Sequence, residues 1–104
     1  MKTTYYLSGK MTGLKDYGRK NFHMAEARLR TAFPRDAFIN PARLPVDLKP
    51  DSYMPICLAM VREADAAALI DGWEDSPGAQ MEAAYAEKIG KRVLTEEELL
   101  WGRG

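Results

Sequence analysis

Histidine and cysteine each occur once in this sequence, as His23 and Cys57. A lone cysteine excludes an internal disulfide, and one thiol with one imidazole falls short of a zinc ligand set. An excess of one charge is missing as well. Fifteen Lys and Arg balance fifteen Asp and Glu. No net field therefore recruits a nucleic-acid polymer or an anionic membrane, although a local site can still hold a small anion. No run approaches the ~20 apolar residues of a membrane span. The short apolar stretch Tyr5–Leu7 before Ser8-Gly9-Lys10 does not read as a signal peptide. The expectation is a cytoplasmic protein with no metal and no cofactor. Repeats, low-complexity segments and internal linkers are absent too.

What is present is a hydrophobic fraction of 46% over 104 residues, which suits one core and one domain spanning residues 1–104. Strand-like and helix-like segments alternate along it. Thr4–Leu7 is β-prone and runs into the turn Ser8-Gly9-Lys10-Met11-Thr12-Gly13. Asn21–Phe33 is amphipathic at helical spacing: Phe22, Ala25, Leu29, Ala32 and Phe33 share a face, while Arg28 and Arg30 point away. Ala37–Asn40 is a short strand stopped by Pro41, and residues 40–52 form a loop dense in proline and charge. Tyr53–Glu63 reads as a second helix and Ala66–Ile70 as a buried strand. Ser76 caps a third helix with Pro77 at its first position, ending near Gly90. Arg92–Leu94 is a fourth strand, and Thr95 with Glu98 forms a capping box for a last helical turn through Leu99, Leu100 and Trp101.

This alternation predicts an α/β chain: a small flavodoxin-like three-layer fold, its four-stranded parallel sheet ordered 2-1-3-4 with helices on both faces. In such sheets ligands bind beyond the carboxyl ends of the strands, where the strand order reverses. That point lies between the first and third strands. The turn Ser8–Gly13 and the segment Asp71–Ser76 are expected to be neighbours there.

One residue of the third helix is out of place. Ala79, Ala83, Ala86 and Ile89 share a face, with Met81 and Tyr85 at its edge and Gln80, Glu87 and Lys88 opposite. Glu82 projects from within the apolar face. A carboxylate turned inward costs several kcal/mol unless it is paired or hydrogen-bonded. One reading is structural, with the side chain reaching a hydroxyl or amide such as that of Tyr6 or Asn40. The other is chemical. A helix N-terminus at Ser76, Gly78 and Ala79 can take a phosphate, or is an ordinary capped start, the reading this segment by itself favours. About two turns further on, Glu82 would meet the sugar of a nucleotide and attack its anomeric carbon, as in retaining glycosidases. Asp71 would position a sugar hydroxyl or the base, or is simply the turn residue before Gly72. Trp73 would stack on a base or pack its loop. Tyr5 and Tyr6 alternate across the first strand, so one faces the crevice. Asp65 opens the third strand at the opposite end and reads as a turn residue, and His23 as an exposed one with no catalytic task.

Taken together, Tyr6-Leu7-Ser8-Gly9-Lys10-Met11-Thr12-Gly13, Asn21-Phe22, Asn40-Pro41-Ala42, Ala64-Asp65 and Gly72-Trp73-Glu74-Asp75-Ser76-Pro77-Gly78-Ala79-Gln80-Met81-Glu82 resemble the small, often phage-borne domains of the nucleoside 2-deoxyribosyltransferase superfamily. The resemblance runs from Tyr5 to Leu94. It implies cleavage of the N-glycosidic bond of a deoxynucleoside or its 5′-monophosphate, with a small-molecule nucleoside or nucleotide as the partner. It also implies Glu82 as nucleophile and Tyr6 as the residue that orients it. Ser76, Gly78 and the turn containing Ser8, Gly9, Met11 and Gly13 match the segments that hold sugar and phosphate, and Gly72, Trp73 and Ala79 lie in the same motif. Superfamily enzymes commonly carry an aspartate eight residues before the Ala-Asp that opens the third strand. Here that position is Cys57, and a thiol is a poor substitute for a carboxyl that engages or protonates a base, so that either Asp71 takes the catalytic role or the chain binds without turnover. Two other readings remain open: a binding module that sequesters a nucleotide or an ADP-ribose-like ligand, and a structural oligomer. The superfamily habit and the apolar tail Leu100-Trp101 point to a homodimer or a higher homo-oligomer.

Overall fold

The computed structural model describes residues 2–102. Four strands, β1 (Thr4–Ser8), β2 (Ala37–Ile39), β3 (Ala66–Leu69) and β4 (Arg92–Thr95), alternate with four α-helices. These are α1 (Arg19–Ala32), α2 (Pro50–Glu63), α3 (Pro77–Lys88) and α4 (Glu96–Gly102). The sheet is parallel throughout and ordered β2-β1-β3-β4. Fold class and strand order are those expected from the sequence. In the two central strands Tyr5 pairs with Ala66 and Ser8 with Leu69.

Strand alternation divides the core into two layers. Tyr5, Leu7, Ala66, Ala68 and Ile70 pack with Phe22, Ala25 and Leu29 of α1 and Leu99 of α4. Tyr6 and Ala67 turn to the other side and pack with Cys57 and Val61 of α2 and Ala86 of α3. Each face of β3 is thus covered by helices, which accounts for its uninterrupted apolar sequence.

Local chemistry sets the element ends. Helix α3 starts as expected, with the Ser76 hydroxyl accepting from the Ala79 N–H at 3.1 Å and Pro77 at the first position. The capping box also forms: Thr95 N–H donates to Glu98 at 2.9 Å and Glu98 N–H to the Thr95 hydroxyl at 3.0 Å. Helix α2 begins at Pro50, earlier than the Tyr53 expected, because a proline can open a helix as well as interrupt a loop. The expected loop after β2 contains a 3-10 turn over Pro41–Arg43, capped by the Asn40 side chain on the Ala42 N–H. A second such turn, Lys15–Gly18, leads into α1. Asp65 does act at the turn, accepting from the Thr4 N–H at 2.9 Å. Ile89, expected on the apolar face of α3, is 37% exposed, because the helix has ended at Lys88.

Candidate functional site

Glu82 is buried, and both of its oxygens are hydrogen-bonded. The Tyr6 hydroxyl donates to Oε2 at 3.0 Å and the Ser8 hydroxyl to Oε1 at 2.7 Å. Tyr6 and Ser8 lie two apart on β1, so both face α3, and both are fully buried. The helix reaches them because the sheet and helix surfaces between are alanine: Ala67 on β3 and Ala79, Ala83 and Ala86 on α3. Burial raises the Glu82 carboxyl above its usual 4.5, opposed by the hydrogen bonds from Ser8 and Tyr6 and by the neighbouring Cys57 thiol. Burial, and then the Glu82 charge, pushes the Tyr6 hydroxyl well above 10. The Cys57 thiol lies on the same floor, and burial lifts it from 9.0 to about 11. The structural reading of Glu82 named two candidate partners. Tyr6 is one in fact; Asn40 is not, because its side-chain amide donates to Glu26 at 2.9 Å.

Above this floor opens a cavity of about 520 Å³. That is within the ~300–1,000 Å³ typical of small-molecule sites. The β1 turn contributes Gly9, Lys10, Met11 and Thr12, and the start of α3 contributes Ser76, Pro77, Gly78 and Ala79. Residues of the two turns at the carboxyl ends of β1 and β3 therefore meet across one cavity. Helix α2 and the segment before it supply Tyr53, Met54, Cys57, Val46 and Leu48. The lining also includes Arg19, which the sequence did not single out. Its Nη2 donates to the Leu44 carbonyl at 2.7 Å, and its buried Nε has no partner.

Several expected site residues lie elsewhere. Asp71 and Trp73 line a second cavity of about 440 Å³, with Arg28, Glu96 and Trp101. The chain leaves β3 at Leu69, itself in the lining of that cavity, and Gly72 takes a left-handed conformation at φ +90°. Asp71 and Trp73, expected to position and stack on the sugar or base, thus line a different cavity from Glu82. Gly72 and Gly13 (φ +83°) do not line the Glu82 cavity; their task is the turn itself. Ser8 holds Glu82 and does not line the cavity.

A second buried carboxylate was not foreseen. Glu26 of α1 accepts from Arg30 at 2.7 Å, from Asn40 at 2.9 Å and from Arg43 at 3.0 Å. Burial alone would raise it, but these hydrogen bonds and the Arg43 charge bring it down from 4.5 to about 2. It fastens α1 to the turn after β2 and lies outside the cavity. The i,i+4 spacing of Glu26 and Arg30 was the one visible sign of it. His23 is exposed, as expected, with Nδ1 lying 3.3 Å from the Asn40 amide. No cluster of His, Cys, Asp or Glu able to hold a metal occurs among the described residues, and among those residues no helix is long and apolar enough to cross a membrane.

No curated protein matches the chain. A family model does, over residues 3–95, which takes in the whole sheet, α1, α2, α3 and every residue of the Glu82 floor. The chain thus belongs to the family described as "Domain of unknown function (DUF4406)".

Proposed function

We propose that the protein cleaves the N-glycosidic bond of a deoxynucleoside or deoxynucleoside 5′-monophosphate, transferring deoxyribose to water or to another base. The observation that carries this reading is Glu82, a buried carboxylate gripped by Tyr6 and Ser8 on the floor of a nucleotide-sized cavity. In this reading Glu82 attacks C1′ and forms a glycosyl ester, which an acceptor then opens. Tyr6 and Ser8 fix both oxygens, so little reorganisation accompanies the attack. At the start of α3, Ala79 and Gln80 donate to Ser76, and Pro77 has no N–H. The Gly78 amide is left for an anion, with Lys10 on the facing turn. The motif resemblance to the nucleoside 2-deoxyribosyltransferase superfamily supports the same roles. The protein would work as a homodimer or higher oligomer through Leu100 and Trp101, the latter 79% exposed; sedimentation of Trp101→Ser against wild type checks this.

A second reading, a module that binds a nucleotide or ADP-ribose-like ligand without turnover, is favoured by Cys57, since a thiol at about 11 is a weak acid. Incubation with deoxynucleosides and their monophosphates, followed by chromatography for free base, separates the two. Base release that falls ~100-fold or more in a folded, ligand-binding Glu82→Gln supports the nucleophile. Release undiminished in Glu82→Gln removes that role. A nucleotide that raises the melting temperature of the wild type without losing its base establishes the binding module instead.

A further inference from the structure

A base that leaves C1′ takes the bonding electron pair with it. A base that is neutral in the nucleotide departs as an anion unless an acid protonates it, and such assistance is worth ~10²–10⁴-fold. Among the described residues the cavity lining holds no imidazole and no carboxyl besides Glu82 and Asp75, and Tyr17, whose hydroxyl is the further candidate, is exposed to solvent. With phosphate at Gly78 and C1′ over Glu82, the remaining space is bounded by α2 and the segment before it, through Val46, Leu48, Tyr53, Met54 and Cys57. The Tyr53 hydroxyl donates to the Pro45 carbonyl, so its proton is committed. The Cys57 thiol is the only other proton donor among these side chains, and burial pushes it up to about 11. Among the described residues the lining holds one carboxyl besides Glu82, that of exposed Asp75, which sits beside Ser76 at the phosphate end. Lys10 belongs to the β1 turn at that same end. Arg19 does not give up a proton near neutral pH.

We propose that the substrate is a nucleotide whose leaving base already carries a positive charge, an N7-alkylated purine or an N-glycosylated pyridinium. This rests on the glycosidic reading above and narrows its substrate class. The chemistry then needs no acid. A Glu82 oxygen bonds to C1′ while the C1′–N bond breaks, and its electron pair cancels the ring charge, so the base leaves neutral. Water then adds at C1′, Glu82 departs as the carboxylate, and one proton goes to solvent. The products are the sugar phosphate and the free base. The first step annihilates charge, because the anionic carboxylate becomes a neutral ester of C1′ as the cationic base leaves neutral. A largely apolar wall favours that change and opposes the appearance of an anionic base. Two aromatic side chains of the lining, Tyr17 and Tyr53, keep accessible surface that can meet a flat cation in the bound substrate.

The test compares kcat/KM for 7-methyl-dGMP and dGMP, which differ by one methyl group and one charge, with uncatalysed loss subtracted. Nicotinamide mononucleotide is run beside them as the pyridinium probe, and dAMP, dCMP and dTMP as further neutral ones. At least one charged nucleotide is expected to be cleaved ~100-fold or more better than any neutral one, in proportion to the assistance the site lacks. Glu82→Gln is expected to abolish the difference. Cleavage of 7-methyl-dGMP alone identifies the purine class, and of the mononucleotide alone the pyridinium class. Neutral nucleotides cleaved within ~10-fold of both charged ones overturn this proposal and leave the glycosidic reading standing. No base released from any nucleotide, charged or neutral, overturns both.

Discussion

Replacing Tyr6 by Phe removes a single oxygen from the fully buried floor and takes one of two donors from Glu82. A hydrogen bond to an ionised group contributes ~1.5–3 kcal/mol and one to a neutral group ~1. The ionised carboxylate therefore loses ~0.5–2 kcal/mol more than the protonated acid does. At ~1.4 kcal/mol per pH unit, the Glu82 midpoint, already above 4.5 through burial, should rise by a further ~1. The sign for stability follows. A carboxyl raised in the folded state favours folding most below its unfolded value, and that contribution is lost as pH rises through the folded value. Tyr6→Phe should then cost ~1 kcal/mol at about pH 4 and ~1.5–3 kcal/mol at about pH 8. Carboxyl ¹³C titration of Glu82 reads the midpoint directly, and urea unfolding at the two pH values reads the cost. Neither needs a substrate. An unchanged midpoint, or a cost independent of pH, would refute the view that Tyr6 holds the ionised form. In an active enzyme the acid limb of kcat/KM should lie above 4.5 in the wild type and move with the carboxyl midpoint.

Glu26 carries the opposite sign. Its drop from 4.5 to about 2 corresponds to at most ~3 kcal/mol, and screening at Arg30 and Arg43, with side chains 51% and 64% exposed, reduces this to ~2. That stability is present above 4.5 and lost as pH falls toward about 2; Glu26→Gln should lack the slope in urea midpoints taken through this window. In Gly9→Ala the new methyl would sit 2.8 Å from Ile70 Cδ1 and nearer still to Cγ1, a buried side chain. A loss of ~1–3 kcal/mol in chemical unfolding is expected, and a loss below ~0.5 would show that Ile70 moves aside freely. Ser76→Ala removes the cap on α3 and should cost ~1 kcal/mol by the same assay, with a further loss of any stabilisation by phosphate.

The alternation of elements and the two caps were legible because each rests on residues close in sequence. Ser76 and Pro77, or Thr95 and Glu98, carry their instructions within one turn. Glu82 was legible through a conflict, a charge set among alanines at helical spacing. Arg19 and Glu26 were not, because what distinguishes them is their surroundings. Arg19 is notable for an unpaired buried Nε, and Glu26 for partners on α1 and beyond β2. Asp71 and Trp73 were misplaced for a related reason. Both follow the end of β3, but the cavity they line is completed by Arg28 of α1 and by Glu96 and Trp101 of α4, residues far from them in sequence.

The inward carboxylate and the abundance of alanine are consequences of one arrangement. A helix bearing large side chains would stand off from the sheet, and a glutamate on it would end in the interface without reaching the strand. Here β3 is Ala66, Ala67, Ala68 and Leu69, and the inward positions of α3 are Ala79, Ala83 and Ala86. The close approach lets a side chain from the second turn of α3 cross to Tyr6 and Ser8, on a strand two positions from the edge of the sheet beside β4. Ordinary core packing would be served as well by larger apolar residues, which bury more area and stabilise more. The alanines give up that stability, and what they permit is a desolvated, doubly hydrogen-bonded carboxylate at the bottom of an open cavity. Stability yielded in this way is consistent with the role proposed for Glu82, since functional sites are where such losses concentrate.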